Sequence, residues 1–334
     1  MPRFAAAQMH ALTPIRIGTR ASLLATTQTG WVAGRLKGLG VEVVLETIST
    51  KGDARRDIPI ARIGGDGVFV RELEQALLEG RIDLAVHSLK DMPTAATPGL
   101  VLACVPDRAT PFDAVVGRTA ATLEELPPGA VVGTSSIRRV AQVKAIRADL
   151  AVAPLRGNVD TRLRKLDAGD YDALILAAAG LERLGLADRI TQLLRPPVFW
   201  PAVSQGALGI QVRIGDDRTR GAIRPLDDMA THAAVVAERR MLAELAGGCL
   251  APIGGWAHVS GGRLTLGGCV LAIDDAGGVE RITAEDSVAF PPAKLDDEAV
   301  SPLATAELVG ASVAAQLLSG GASGLLERMR TRLA

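Results

Sequence analysis

Arginine recurs where short apolar runs end and helical patterns begin. Thr134-Ser135-Ser136-Ile137-Arg138-Arg139 follows the apolar pair Val131-Val132 and opens a run with helical spacing. Backbone N–H groups, hydroxyls and two guanidiniums can converge there on one anion. Arg156-Gly157-Asn158 repeats the arrangement one unit later, with Arg162 one turn into the next helix, and Arg20 and Ser22 do so near the start of the chain. Any one of these arginines reads equally well as a solvated surface charge. Four such polar segments (residues 19–22, 88–91, 134–139 and 156–162), each just past a strand pattern, point to a site for a polyanion or polycarboxylate.

Two further residues invite chemistry. Asp91 follows the apolar run 82–86 and sits between Lys90 and Met92-Pro93. A carboxylate there, partly buried in a basic cleft, can stabilise a developing cation or move a proton; an Asp in a loop is more commonly a turn cap. Cys249 follows Gly247-Gly248, and flanking glycines leave its thiol open to a reagent. Lone cysteines are usually small core hydrophobes, which is how Cys104 and Cys269 read in their apolar surroundings. Residue patterns alone leave Asp91 and Cys249 undecided. The four histidines, at 10, 87, 232 and 258, form no Cys–His hydrolase motif, and no cluster has metal-ligand spacing. Gly64-Gly65-Asp66-Gly67 is neither a dinucleotide fingerprint nor a phosphate loop.

The elements that must hold these residues alternate. Strand patterns at 15–17, 41–48 and 82–86 are separated by helical patterns at 22–39 and 68–78; a second block from about Phe112 offers strands at 131–132, 151–153 and 173–177 with helices at 137–147 and 159–168. Such alternation predicts an α/β fold with parallel-rich sheets, in which ligands bind at the carboxyl ends of strands. The remainder reads as a smaller α+β domain: a helix over 231–245, strand-like pieces at 263–266 and 268–272, and a helix at about 305–318.

With 334 residues, two or three domains are expected. Lys plus Arg equals Asp plus Glu at 37 each, and aromatics are 3%, which argues against nucleic acid or an anionic membrane as partner. Three scattered cysteines predict a reducing, cytoplasmic setting, and neither a signal peptide nor a membrane span is read.

Several segments, in order and spacing, resemble the hydroxymethylbilane synthase (porphobilinogen deaminase) family: Phe69-Val70-Arg71-Glu72-Leu73-Glu74, Val86-His87-Ser88-Leu89-Lys90-Asp91-Met92-Pro93, Gly133-Thr134-Ser135-Ser136-Ile137-Arg138-Arg139, Leu155-Arg156-Gly157-Asn158-Val159, Pro201-Ala202-Val203-Ser204-Gln205-Gly206 and Gly247-Gly248-Cys249. The resemblance implies two lobes like those of periplasmic binding proteins, domain 1 at residues 12–106 with 207–224 and domain 2 at 112–200, plus a cofactor-cysteine domain at 229–334. It implies a transferase that condenses four porphobilinogen molecules head to tail, with loss of ammonia, into linear hydroxymethylbilane for tetrapyrrole and heme biosynthesis. The cofactor implied is dipyrromethane, covalently attached to Cys249 and made from the substrate itself, with no metal. Asp91 is the implied catalytic residue, stabilising the azafulvene left when ammonia departs. Lys90, Ser88, Thr134, Ser136, Arg138 and Arg139 are implied to hold the cofactor; Arg20, Ser22, Ser135, Arg156, Arg162, Arg183 and Gln205 to bind substrate. Arginine suits carboxylate arms because it pairs bidentately. A cytoplasmic monomer without nucleic acid or membrane partners is the implied state.

Two departures from the family pattern stand out: Asp66 where lysine is common in the glycine-rich loop, and Leu250-Ala251 in place of Gln-Val after Cys249. The resemblance does not extend to the first residues, up to about Leu12. The main rival is a non-catalytic two-lobed binding protein for an anionic solute, which leaves Cys249 unexplained and predicts an export signal; a nucleic-acid-binding protein conflicts with the neutral charge.

Overall fold

The computed structural model describes residues 13–49, 70–245, 251–274, 277–290 and 301–333. The N-terminal extension, the loop carrying Asp66, and Cys249 with its preceding glycines and Leu250 lie outside the described residues.

The chain starts with β1 (Ile15–Thr19), α1 (Leu23–Gly38) and β2 (Val43–Thr47), then α2 (Arg71–Leu78), β3 (Leu84–Ser88), a one-turn 3₁₀ helix (Leu89–Asp91) and β4 (Leu100–Cys104). It crosses to a second sheet through β5 (Asp113–Gly117), β6 (Val131–Gly133), α3 (Ile137–Ile146), β7 (Ala151–Ala153), α4 (Val159–Asp167), β8 (Ala173–Ala177), α5 (Ala178–Arg183) and β9 (Gln192–Leu194). It then returns to the first sheet as β10 (Leu208–Arg213), followed by α6 (Asp217–Ile223). The first sheet has the order β2-β1-β3-β10-β4 and the second β7-β6-β8-β5-β9. The architecture is α/β. The sheets are mixed, and the reason is topological: strands joined by helical crossovers pair in parallel, whereas β5 and β10, each arriving from the other sheet, run antiparallel to both neighbours. The central strand β8 is an unbroken apolar run and β3 is apolar over Leu84, Ala85 and Val86 before His87 and Ser88; each is buried along all but its last residue, as expected of strands covered on both faces.

Ser22 caps α1 by accepting from the Ala25 N–H at 3.3 Å, a bond of the kind that contributes about 1 kcal/mol. The helix begins where the strand–turn chemistry of residues 19–22 predicts.

The C-terminal unit is α+β. Helix α7 (Met229–Glu244) leads to an antiparallel meander of β11 (Ile253–Ser260), β12 (Arg263–Ile273) and β13 (Val279–Ala289), closed by α8 (Pro302–Ser319) and α9 (Ala322–Leu333). Its core takes Ala233, Ala237 and Met241 from α7 and Val309, Val313 and Leu317 from α8, apolar positions four apart on one stripe of each helix, against Leu264, Leu266 and Val270 of β12. The two strand-like pieces expected at 263–266 and 268–272 are one strand. Gly267 and Gly268 mark close approach and not a turn: a Cβ would lie 2.4 Å from the Trp200 ring at one and 2.5 Å from Met241 Sδ at the other. Among the described residues no single helix is long and apolar enough to cross a membrane.

The chain crosses between the two sheets at residues 105–112 and 195–207, and the C-terminal unit grips both crossings. Glu238 of α7, fully buried, pairs with Arg108 at 2.6 and 3.1 Å and accepts from the backbone N–H groups of Ser204 and, at 2.7 Å, Ala257. Arg108 Nε also donates to the Gln205 carbonyl at 2.8 Å. Trp256 of β11 stands edge-on to Phe112, with ring centres 5.2 Å apart. Losing one partner of so buried a pair costs about 3–5 kcal/mol, because the other charge stays behind.

Candidate active site

The four polar segments lie at the carboxyl ends of β1, β3, β6 and β7. The 3₁₀ turn after β3 is fixed from below by Leu89, whose N–H donates to the Ala207 carbonyl at 3.1 Å and whose side chain fills the space over Gly209. A Cβ on Gly209 would sit 2.3 Å from Leu89 Cδ2, so only glycine admits this contact. From the other side Arg239 of α7 donates to the Met92 carbonyl at 3.0 Å and to that of Pro93. A short polar turn is thereby held on an apolar floor, with Lys90 half-buried and Asp91 exposed. The expectation that Asp91 is partly buried is corrected: a one-turn helix ending at Asp91 turns its side chain outward, and burial falls on Leu89.

Around this turn positive charge gathers. Burial draws the Lys90 ammonium down to about 8; Asp91 and Asp113 oppose the shift, and Arg139 and Arg138 add to it. Burial likewise lowers Arg162 to about 10, assisted by Arg139 and Arg156 and opposed by Asp91. Lys90, Arg139, Arg156 and Arg162 therefore share one electrostatic environment with Asp91. Cations that weaken one another in this way suit an anionic occupant, so the donor set fits the acidic arms of a polycarboxylate pyrrole.

Other expected site residues have local roles in the structure. Ser88 Oγ donates to Gln28 Oε1 at 3.2 Å and accepts from Gln28 Nε2 at 3.0 Å. Thr134 Oγ1 accepts from the Ser136 N–H at 3.3 Å. Ser135, exposed, donates its hydroxyl to the Leu155 carbonyl at 2.9 Å and accepts from the Leu155 N–H at 3.0 Å, stitching the loop after β6 to the loop after β7. Ser136 precedes α3 without capping it through its side chain. Arg162 Nε donates to the Gly157 carbonyl at 2.7 Å. Arg20 is half-buried beside His87, to whose electrostatics it contributes. Arg183 of α5 reaches across to the Gly206 carbonyl at 2.7 Å, its pKa lowered to about 10 by burial.

Arg138 and Arg139 are both buried around a fully buried carboxylate, Asp113 at the start of β5. Arg138 Nη1 donates to Asp113 Oδ2 at 2.8 Å and to the Trp200 carbonyl; Arg139 donates to Asp113 Oδ1 through Nη2 at 2.6 Å and Nε at 3.0 Å, and to the Ile175 carbonyl at 2.9 Å. Burial alone would raise the Asp113 pKa, but the two guanidiniums hold it well below the usual carboxylate range. Gln205, expected to line the cleft, is instead buried, and its amide donates to Asp113 Oδ1 at 3.0 Å and to the Pro111 carbonyl at 2.9 Å. The turn after Ala202 points it inward, so it supports the site from behind.

Sequence reasoning passed over Asp113, Gln28, His87 and Glu238. Asp113 carries a signal: one charge opening an otherwise apolar strand. Glu238 falls on the apolar stripe of α7, one position beyond Ala237 and three before Met241. His87 is buried, its Nε2 3.1 Å from Gln211 Oε1, while Gln211 Nε2 donates to Glu74 Oε1 at 2.9 Å. Since the amide N–H of Gln211 is turned to Glu74, His87 Nε2 carries the proton and donates. Burial, with Arg20 and Arg239 adding to it against the Gln211 bond, brings the His87 pKa down to about 4 from an ordinary 6.5. The unfolded chain therefore binds the extra proton between pH 6.5 and 4, and stability falls as pH drops through that window, by about 3 kcal/mol in all. Urea unfolding at pH 7 and pH 4 should show this loss in the wild type and a loss smaller by that amount in His87→Asn; equal losses would contradict it.

Comparison with known proteins adds to this geometry. A family model described as "Porphobilinogen deaminase, dipyromethane cofactor binding domain" matches residues 15–221, and one described as "Porphobilinogen deaminase, C-terminal domain" matches residues 232–319. A porphobilinogen deaminase of Syntrophobacter fumaroxidans is 46% identical over 317 residues, covering 94% of this chain and 97% of its own. One of Roseiflexus castenholzii is 51% identical over 262 residues, 78% of this chain and 86% of its own. Among solved structures, a nutrient binding protein from Burkholderia cenocepacia bound to methionine aligns over 63% of this chain and 90% of its own, with 16% identity and a TM-score of 0.41.

Proposed function

The chain belongs to the porphobilinogen deaminase family, and from that premise we propose that it is a hydroxymethylbilane synthase, joining four porphobilinogen molecules head to tail with release of ammonia. The observation that carries this reading is one exposed carboxylate, Asp91, set among the cations Lys90, Arg139, Arg156 and Arg162 at the carboxyl ends of the strands.

Porphobilinogen brings an acetate and a propionate arm and an aminomethyl group. Guanidiniums bind the arms: Arg20 with Ser22 on the first lobe, Arg156 and Arg162 with Ser135 on the second, and Arg183 near the crossing. When the C–N bond breaks, its electron pair leaves with the protonated amine as ammonia, and the exocyclic carbon becomes electron-poor. Asp91 stabilises the positive ring N–H of that species at close range, where a fixed carboxylate acts without reorganising. The α-carbon of the neighbouring pyrrole then forms the new C–C bond, and its displaced proton passes to Asp91. Lys90, with its pKa near 8, is suited to hold a carboxylate and to exchange a proton near neutrality. Release would reverse the joining: Asp91 would return a proton to the α-carbon from which the chain grew, the C–C bond there would break, and water, giving up a proton, would add as hydroxyl to the exocyclic carbon of the departing tetrapyrrole.

Lys90, Ser88, Thr134, Ser136, Arg138 and Arg139 would hold dipyrromethane, tethered by a thioether to Cys249, which lies in the segment between α7 and β11. When bound, that group supplies the free pyrrole α-carbon to which the first substrate is joined. The three-domain division at residues 12–106 with 207–224, 112–200 and 229–334 accords with two crossings gripped by a C-terminal unit. Free buried thiols at Cys104 and Cys269 accord with a reducing, cytoplasmic setting, and a monomer is the simplest state for a cleft built within one chain. Purified protein incubated with porphobilinogen should release ammonia and yield a linear tetrapyrrole that loses water and closes to a porphyrinogen in acid, read as the coloured porphyrin after oxidation by air. Tight binding of porphobilinogen without ammonia release would favour the solute-binding alternative.

A further inference from the structure

The turn that carries Asp91 is gripped by helix α7, and the grip falls on the backbone just behind the carboxylate. Val235 and Arg239 stand four apart on α7 and so share one face of it. Val235, fully buried, packs with Leu89 and Met92 on the apolar floor of the turn. Arg239, half-buried, donates through Nη1 to the Met92 carbonyl at 3.0 Å and through Nη2 to the Pro93 carbonyl. The backbone by itself holds this exit weakly: the Met92 N–H closes on the Leu89 carbonyl at 3.2 Å, and Pro93 has no N–H with which to continue. A planar guanidinium set across two successive carbonyls fixes their direction as well as their distance, which an ammonium cannot do. The helix that supplies it is itself anchored, through Glu238, to Arg108 on one crossing and the Ser204 N–H on the other.

We propose that Arg239 is a positioning residue for the condensation: by clamping the Met92 and Pro93 carbonyls to α7 it fixes where the Asp91 carboxylate meets the electron-poor ring. This rests on the porphobilinogen reading above. Asp91 is exposed, so its aim comes from the backbone beneath it. A reacting group misplaced by about 1 Å can cost on the order of 10²-fold in rate. The acidic arms are bound by other arginines, and the charge that Asp91 meets develops only as ammonia leaves. Loss of Arg239 is therefore read in kcat and not in KM.

The test is steady-state ammonia release from porphobilinogen by the holoenzyme, per molecule carrying the pyrrole adduct. Wild type, Arg239→Met and Arg239→Lys are compared, each also in the Asp91→Glu background. In Arg239→Met, kcat is expected to fall about tenfold or more while KM stays within about threefold of wild type. Arg239→Lys keeps the charge but not the fork, and its kcat should stand about threefold below wild type at unchanged KM. In the Asp91→Glu background the longer arm has already moved the carboxylate, so Arg239→Met should cost no more than about threefold there. The lysine variant decides the matter if Arg239→Met does not fold or gains no adduct. Equal losses in the two backgrounds would mean that Arg239 merely stiffens the fold. A rise in KM that lysine restores would mean that it only attracts the acidic substrate, and wild-type kcat in Arg239→Lys would mean that the fork does nothing. Each of these would overturn the proposal. Turnover by the wild type in the same assay separates such a failure from a failure of the porphobilinogen reading.

Discussion

Asp91→Ala is expected to lower ammonia release from porphobilinogen at least ~10³-fold while leaving the chain folded. The two halves of this expectation have separate physical grounds. On the activity side, one carboxylate both stabilises the positive ring and accepts the displaced proton, so both contributions vanish together. On the stability side, the turn is held by Leu89 on its apolar floor and by Arg239 on the backbone of Met92 and Pro93, and the Asp91 side chain is exposed. Alanine also removes the anion that opposes the downward shift of Lys90 and Arg162, so both cations should titrate lower still. Asp91→Glu retains the charge on a longer arm and should keep a measurable fraction of turnover. Ammonia release by the alanine variant within tenfold of wild type, at matched circular dichroism, would remove Asp91 from the chemistry.

The strand ends were legible because each combines an apolar run with an abrupt polar turn, a pattern set by local physics. The path between the sheets was not. Antiparallel insertion of β5 and β10 depends on which distant strand is free to pair, and nothing in residues 113–117 or 208–213 states that. The same distance hid Asp113: its partners lie 25, 26 and 92 residues away. Gln205 was misread for the reverse reason. It stands in a recognisable segment, but a side chain's direction out of a turn is decided by packing, and here the packing turned it toward Asp113. Glycines 267 and 268 invite a break because glycine is locally a turn residue; the ring of Trp200 and the sulfur of Met241 require them instead for contact. Most of the site assignment came from likeness to a family, since residue type alone could not separate a reactive Cys249 from a core cysteine.

That cysteine carries the second large expectation. Cys249→Ala should purify at the mass of its sequence alone, remain so after incubation with porphobilinogen, and form no tetrapyrrole. Attachment through sulfur needs a thiolate, so the question is whether another cysteine can substitute. Cys104 is fully buried, and burial raises its pKa, with Asp227 adding to the shift. Cys269 is equally buried, and burial outweighs Arg281 and Arg138 to push it up to about 12. At pH 8 a thiol of that pKa is ionised in roughly one molecule in ten thousand, and the fold gives a bulky pyrrole no path to it. The wild type should therefore carry two condensed pyrrole units on the peptide containing Cys249, and conservative replacements of Cys104 or Cys269 should leave that adduct in place. If Cys249→Ala still gains the adduct, or still turns over, the tether lies elsewhere. The thiol reactivity argued from Gly247-Gly248-Cys249 would then fail, although the anion-binding cleft would stand.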